Sequence, residues 1–309
     1  MRVFVTGATG FIGSAVVAEL LGAGHEVTGL ARSDDAAAAL TAAGAGVHRG
    51  SLDDPGSLHG GAAAADGVIH LAFKHDFSDF AAAGETDLRA VETMGAALAG
   101  TGKPFVITSG TLLLTRIAPG RVGTEQDRPG PQTPPLPRVA SESLALALAG
   151  RGVRSSVVRL SPTVHGAGDH GFVPRLIDIA RGKGIAAYVG DGANHWPAVH
   201  RLDAARLFRL ALEAAPLGSV LHGAAEQGVP FRDIAGAIGR HLDLPVTGIS
   251  PEEADAHFGF LAAFVGLDNL TSSAATRELL GWRPEHPALL ADLGAGHYFA
   301  PGSTSQYQN

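Results

Sequence analysis

The chain has 309 residues, 45% of them hydrophobic, enough for one large α/β domain or two coupled lobes. Its net charge of −7 gives no electrostatic reason to expect nucleic acid or an anionic membrane as partner. It has no cysteine, which excludes disulfides and thiolate chemistry, and neither a basic leader nor a membrane-length apolar run, so a cytoplasmic protein is expected.

Residues 1–5 are short, apolar and partly β-branched, and read as a buried strand. Thr6-Gly7-Ala8-Thr9-Gly10-Phe11-Ile12-Gly13 follows at once, and helical spacing begins at Ser14. A strand thus runs through a glycine loop into a helix. Gly7 permits a tight turn, Gly10 removes the side chain that would hold a pyrophosphate off the backbone, and Gly13 lets the helix lie close. The positive end of the helix dipole then faces the phosphates.

Residues 26–31 read as the second strand. An Asp or Glu at its end would hold the ribose hydroxyls of NAD, but Arg32 and Ser33 stand there instead. Arg32 can pair with a 2′-phosphate and Ser33 can hydrogen-bond it, which favours NADP over NAD. Asp34 and Asp35 fit the first turn of the next helix, with Ser33 near its N-cap. Residues 46–50 form a third short strand. Asp54 then caps a helix that has Pro55 at its first position, leaving Ser51 and Leu52 where an adenine can rest. The fourth strand, 68–73, delivers Phe73, Lys74, His75 and Asp76 to the crevice at the carboxyl edge of the sheet. A helix over 86–99 leads to a fifth strand, 105–109, with Ser109, Gly110 and Thr111 at its end. Residues 157–160 are the sixth strand and lead into Ser161-Pro162-Thr163-Val164-His165-Gly166. Strands alternating with helices at this pace predict a doubly wound parallel sheet, a Rossmann-type α/β fold.

Further on, residues 116–137 are rich in Pro, Gly, Gln and Thr, and read as a lid or substrate wall over the fifth strand. Helices are expected over 142–149, 172–182 and 201–214, the last with Asp203 near its start, and strands over 186–189 and 219–223. Residues 194–197 read as a loop bordering the pocket, with Trp196 either in that border or in the core. Amphipathic helices over 231–242 and 252–265 follow, the second carrying Phe258, Phe260, Leu261 and Phe264 as an apolar wall, then a helix over 274–280. The tail from Pro301 reads as frayed.

Taken together, the glycine loop, Val68-Ile69-His70-Leu71-Ala72, residues 105–109, 159–166 and 172–177, Gly190-Asp191-Gly192 and residues 199–203 resemble the extended or atypical short-chain dehydrogenase/reductase superfamily over nearly the whole chain. The resemblance implies an NAD(P)-binding lobe, residues 1–171 with 198–224, and a smaller C-terminal α/β substrate lobe, residues 172–197 with 225–309. It puts the cofactor against Gly7, Thr9, Gly10, Phe11, Ile12, Gly13, Arg32, Ser33, Ser51, Leu52, Leu71, Ala72, Phe73, Thr108, Pro162, Thr163 and Val164.

That family's reductases and epimerases use a Tyr-x-x-x-Lys pair and an upstream Ser or Thr. Here the tyrosines are Tyr188, Tyr298 and Tyr307, and none has a Lys four residues on. Arg138 falls at the Tyr place, Glu142 at the Lys place and Gly110 at the Ser place, flanked by Ser109 and Thr111; Asp87 stands where the family has an Asn. The pattern resembles the atypical subgroup with a degraded tetrad.

Arginine stays charged at neutral pH, so Arg138 cannot donate the proton. It can orient a substrate oxygen or a cofactor ribose, or face water. His75, beside Asp76, and His165, after the sixth strand, are the candidate proton donors, and Ser109 or Thr111 can polarise a carbonyl. His165 and His170 sit in a flexible loop without the fixed spacing of metal ligands, so no metal is expected. The expected activity is NADP(H)-dependent reduction of a small ketone or aldehyde by a monomer or homodimer. A non-catalytic NADP-binding sensor and a sugar-nucleotide epimerase or dehydratase are the alternatives.

Overall fold

The protein is described here by a computed structural model covering residues 1–74, 79–130 and 137–300. The first half alternates strand and helix: β1 (Arg2–Thr6), α1 (Phe11–Gly22), β2 (Glu26–Ala31), α2 (Asp34–Ala42), β3 (Gly46–Arg49), α3 (Pro55–Ala64), β4 (Gly67–His70), α4 (Phe80–Leu98) and β5 (Pro104–Gly110). The helix starts are set by local chemistry. The Ser33 hydroxyl accepts from Ala36 N, the Asp54 carboxylate from Ser57 N with Pro55 next, and the Asp79 carboxylate from Ala82 N. α5 (Leu114–Ile117) and α6 (Pro137–Ala147) lead to β6 (Arg154–Leu160) and β7 (Thr163–His165).

The second half holds α7 (Phe172–Lys183), β8 (Ala186–Val189), β9 (His195–His200), α8 (Arg201–Ala214), β10 (Ser219–Gly223), β11 (Glu226–Pro230), α9 (Phe231–Leu242) and β12 (Val246–Ile249). The short helices α10 (Ala254–Phe258), α11 (Ala262–Val265), α12 (Ala274–Leu280) and α13 (Leu289–Gly294) complete it. No helix among the described residues is long and apolar enough to cross a membrane.

A seven-stranded sheet runs β10-β6-β5-β4-β1-β2-β3, with every pairing parallel. The order reverses between β1 and β4, which opens the crevice at their carboxyl ends. One face buries Val16, Leu20, Leu207 and Phe208 from α1 and α8, and the other buries Leu58, Val91, Met94 and Leu148. A separate core gathers Ile177, Trp196, Phe231, Ile238, Phe258 and Leu293 beside the sheets β11-β9-β7 and β12-β8. Trp282 leaves that neighbourhood. It is fully buried with α1 and α8, and its indole N–H donates to the Asp203 carbonyl at 2.9 Å.

Several expected elements are corrected. Residues 194–197 are not a loop: His195 opens β9, and Trp196 is fully buried against Phe172 and Phe231. Pro197, a residue that argues against a strand, stands inside β9, so the run did not read as one. The fourth strand stops at His70; Leu71 N–H donates the last bond to the Thr6 carbonyl of β1. The helix expected over 252–265 is broken at Gly259, whose φ of +56° no continuing helix accepts. Part of the segment after the sixth strand is itself a strand, β7, paired with β9.

Candidate functional site

The loop after β1 is shaped by three glycines that do different things. Gly7 lies at φ +68°, and a Cβ there would sit 2.7 Å from the backbone nitrogen of Ala72. At Gly13 a Cβ would sit 1.9 Å from the Gly7 carbonyl oxygen, so only glycine lets α1 start there. Gly10 is the N-cap of α1 with φ −73° and ψ 175°, an extended backbone any residue adopts. A Cβ there would meet only the Gly7 oxygen, at 3.3 Å. No side chain caps α1, so the first-turn N–H groups and the positive end of the dipole stay available. A dinucleotide diphosphate fits this cradle. The ring of Phe11 meets His170 edge-on at 5.8 Å, and the Arg201 guanidinium lies 5.2 Å from its centre.

At the end of β2, Arg32 is exposed, and Ser33 accepts the α2 capping bond, which leaves its hydroxyl proton free to donate. Arg49 stands beside Ala31 in the neighbouring strand and pairs with Asp34. Ser51 and Leu52 are half-buried behind them, next to the Lys74–Asp53 ion pair at 2.6 Å.

The crevice between β4 and β5 carries the polar network. The Thr6 hydroxyl lies 2.6 Å from His70 Nδ1 and accepts from the Ala72 N–H at 3.3 Å. His70 Nε2 reaches Asp87 Oδ1 at 3.2 Å, both groups being buried. Burial pushes the Asp87 carboxyl up, but the His70 hydrogen bond and the Arg138 charge outweigh it and hold it below its ordinary value. Thr108 donates its hydroxyl to the His70 carbonyl at 2.9 Å. Its own carbonyl accepts from Arg138, whose guanidinium carbon lies over the Phe73 ring, 4.0 Å from its centre. Leu71, Ala72 and Phe73 are half-buried beside it.

Ser109, next along β5, is buried, and its hydroxyl has no hydrogen-bond partner among the described residues. Thr111 is differently placed. Its hydroxyl donates to Asn269 Oδ1 at 2.9 Å, and Asn269 Nδ2 donates back to the Thr111 carbonyl at 2.8 Å. That pair ties the end of β5 to the C-terminal half, and the Thr111 proton is already committed. Glu142, at the Lys place, turns inward. It meets Arg159 in a fully buried pair, with Arg159 also donating to the Asp127 carbonyl and contacting His222. Nearby, Glu125 accepts from the Thr276 amide and hydroxyl, which anchors the expected lid segment against α12.

His165 does not open onto Ser109. It is buried, with Nδ1 2.8 Å from Asp292 Oδ2 and its ring against His200 at 5.4 Å. Burial lowers its affinity for a proton, and Asp292 only partly restores it. His200 stacks on His286 at 4.8 Å, and His286 Nδ1 lies 2.8 Å from Asp203 Oδ1. Pro162 and Val164 are half-buried and Thr163 is buried. His75 and residues 131–136 of the expected lid lie outside the described residues. Sequence reasoning passed over His70 and Asn269. The inward period-2 place of His70 in β4 was the available signal for the first, and nothing local marked the second.

A family model described as the NAD dependent epimerase/dehydratase family matches residues 3–221. The uncharacterized protein C2A9.02 of Schizosaccharomyces pombe is 53% identical over 299 residues, 97% of this chain and 100% of that one. A 2-alkyl-3-oxoalkanoate reductase of Stenotrophomonas maltophilia is 30% identical over 231 residues, 73% of this chain and 69% of that one. Among solved structures, DesIV of Streptomyces venezuelae, a dTDP-glucose 4,6-dehydratase with NAD and DAU bound, shares the fold at TM-score 0.76 and 22% identity, covering 96% of each chain. The chain therefore belongs to the NAD dependent epimerase/dehydratase family.

Proposed function

We propose that the protein is an NADP(H)-dependent oxidoreductase that reduces a small carbonyl compound. The observation that carries the reading is the contrast within the glycine loop. Gly7 and Gly13 are demanded by the protein's own backbone, whereas Gly10 faces room that the protein itself leaves unfilled. A ligand that approaches the backbone there accounts for the third glycine. Arg32 and the Ser33 hydroxyl, with no carboxylate in their place, favour a 2′-phosphate over a free ribose hydroxyl.

A bound reduced nicotinamide supplies a hydride, which reduces the carbonyl carbon. The chain's part is to hold and charge-stabilise the substrate. Arg138, beside Phe73 and the end of β5, has guanidinium N–H donors left for a substrate oxygen. Thr6, His70, Asp87 and Thr108 tie together the ends of β1, β4 and β5 next to it. The reductase reading also draws on the 30% identical oxoalkanoate reductase. Epimerisation or dehydration draws on the family's description, but Arg138 and Glu142 occupy the Tyr and Lys places those reactions use.

Titration of the protein with NADPH and NADH, followed by loss of reduced-nicotinamide absorbance over a panel of carbonyls, tests the proposal. Tight NADPH binding and carbonyl-dependent oxidation are expected. Folded protein that binds neither dinucleotide refutes the reading. Binding without any turnover selects the sensor alternative, and an isomerised product without net cofactor change selects the epimerase.

A further inference from the structure

Two arginines lie in this region, and only one of them forms an ion pair among the described residues. Arg159 is fully buried and meets both carboxylate oxygens of Glu142, so its charge is balanced in place. Arg138 is held between the Phe73 ring and the Thr108 carbonyl and forms no ion pair among the described residues. Asp87 is felt only through space, its Oδ1 being engaged by His70. Burial chiefly lowers the Arg138 affinity for its proton, and the Asp87 charge only partly restores it. A guanidinium carries five N–H donors in a planar fork, and one neutral carbonyl leaves most of them unused. The ring beneath it restricts the side chain, so less freedom is lost when an anion arrives.

We propose that Arg138 is an anion seat, and that the substrate is an oxo acid whose carboxylate pairs with its guanidinium. This rests on the reductase reading and narrows its substrate class from any small carbonyl to carbonyls bearing a carboxylate. The carboxylate supplies the direct ion-pair partner that Arg138 lacks among the described residues, and the fork geometry fits it two bonds at a time. A neutral ketone of the same size forms no such pair and binds less well.

Calorimetric titration of the NADP⁺-loaded protein with acetoacetate and with ethyl acetoacetate compares one skeleton with and without the charge. The acid is expected to bind at least about tenfold more tightly than the ester, the size of a charge-assisted bidentate contact. Arg138→Gln should abolish that preference and Arg138→Lys should keep part of it, with the NADPH affinity of each variant measured alongside. Equal binding of acid and ester, or no binding of the acid, overturns the inference. So does an Arg138→Gln variant whose NADPH affinity falls as far as its acid affinity, since the anion would then be a cofactor phosphate. Should Arg138→Gln fail to fold, the acid-to-ester ratio of the parent protein decides. If neither NADPH nor NADH binds, the oxidoreductase reading fails, and the same pair titrated into cofactor-free protein still tests the anion seat.

Discussion

Gly10→Ala separates what the fold needs from what a ligand needs. At Gly13 an added methyl would sit 1.9 Å from the Gly7 oxygen, far inside any contact distance, and α1 must move. At Gly10 the same methyl meets that oxygen at 3.3 Å, a tight contact relieved by a few tenths of an ångström, and the backbone there is extended. Alanine also lowers the entropy of the unfolded chain, by about 0.4–1 kcal/mol, which offsets the small strain. The stability of Gly10→Ala should therefore stay within about 1 kcal/mol of the parent, whereas overpacking at Gly13→Ala should cost about 1–3 kcal/mol or more. The methyl of Gly10→Ala stands where the diphosphate approaches the uncapped start of α1. Losing one charge-assisted bond there costs about 1.5–3 kcal/mol, or roughly ten- to a hundredfold in affinity. Thermal melts and NADPH titrations of both variants make the measurement. A Gly10→Ala protein with parental melting and parental NADPH affinity would show that no phosphate lies against Gly10. The cofactor placement would then be wrong.

The other expectations concern charge. Arg32→Ala should weaken NADP far more than NAD, by a few kcal/mol at most for the lost 2′-phosphate contact, and an equal loss for both would remove that assignment. Glu142→Ala leaves Arg159 buried without its partner and should cost about 3–5 kcal/mol in a denaturant titration; a loss under 1 kcal/mol would mean water reaches the pair. Burial pushes Asp169 up to about 7 despite hydrogen bonds from Gly171 and Tyr298, so it favours the folded state in acid, and that support fades as pH rises from about 4 through 7. Asp169→Asn should thus gain stability relative to the parent on going from pH 4 to 8, and a constant difference in melting temperature would contradict this. Burial, with like charge on His165 and His286, pulls His200 down to about 4. Its support is complete above pH 6.5 and is lost as pH falls towards 4, so His200→Gln should flatten the acid side of the melting profile.

Local chemistry was enough to read the βα junction, the caps at Ser33 and Asp54, and the bounds of β2, β8, α8, α9 and α12. Each depends on residues within one or two turns: a cap and the amide it accepts, a glycine, a short apolar run. The doubly wound parallel sheet was legible too, because alternating strands and helices with right-handed crossovers leave few ways to wind. What tertiary structure alone decided lies in pairs far apart in the chain. Thr111 and Asn269, His165 and Asp292, Trp282 and the Asp203 carbonyl meet only once both halves are folded, and no local pattern ties them together. The sequence placed Arg138 and Glu142 where a Tyr and a Lys were expected, but could not say that Glu142 would be buried against Arg159 while Arg138 forms no ion pair among the described residues. Neutralisation of a buried charge depends on what the returning chain brings within about 4 Å, and that is a property of the packed molecule.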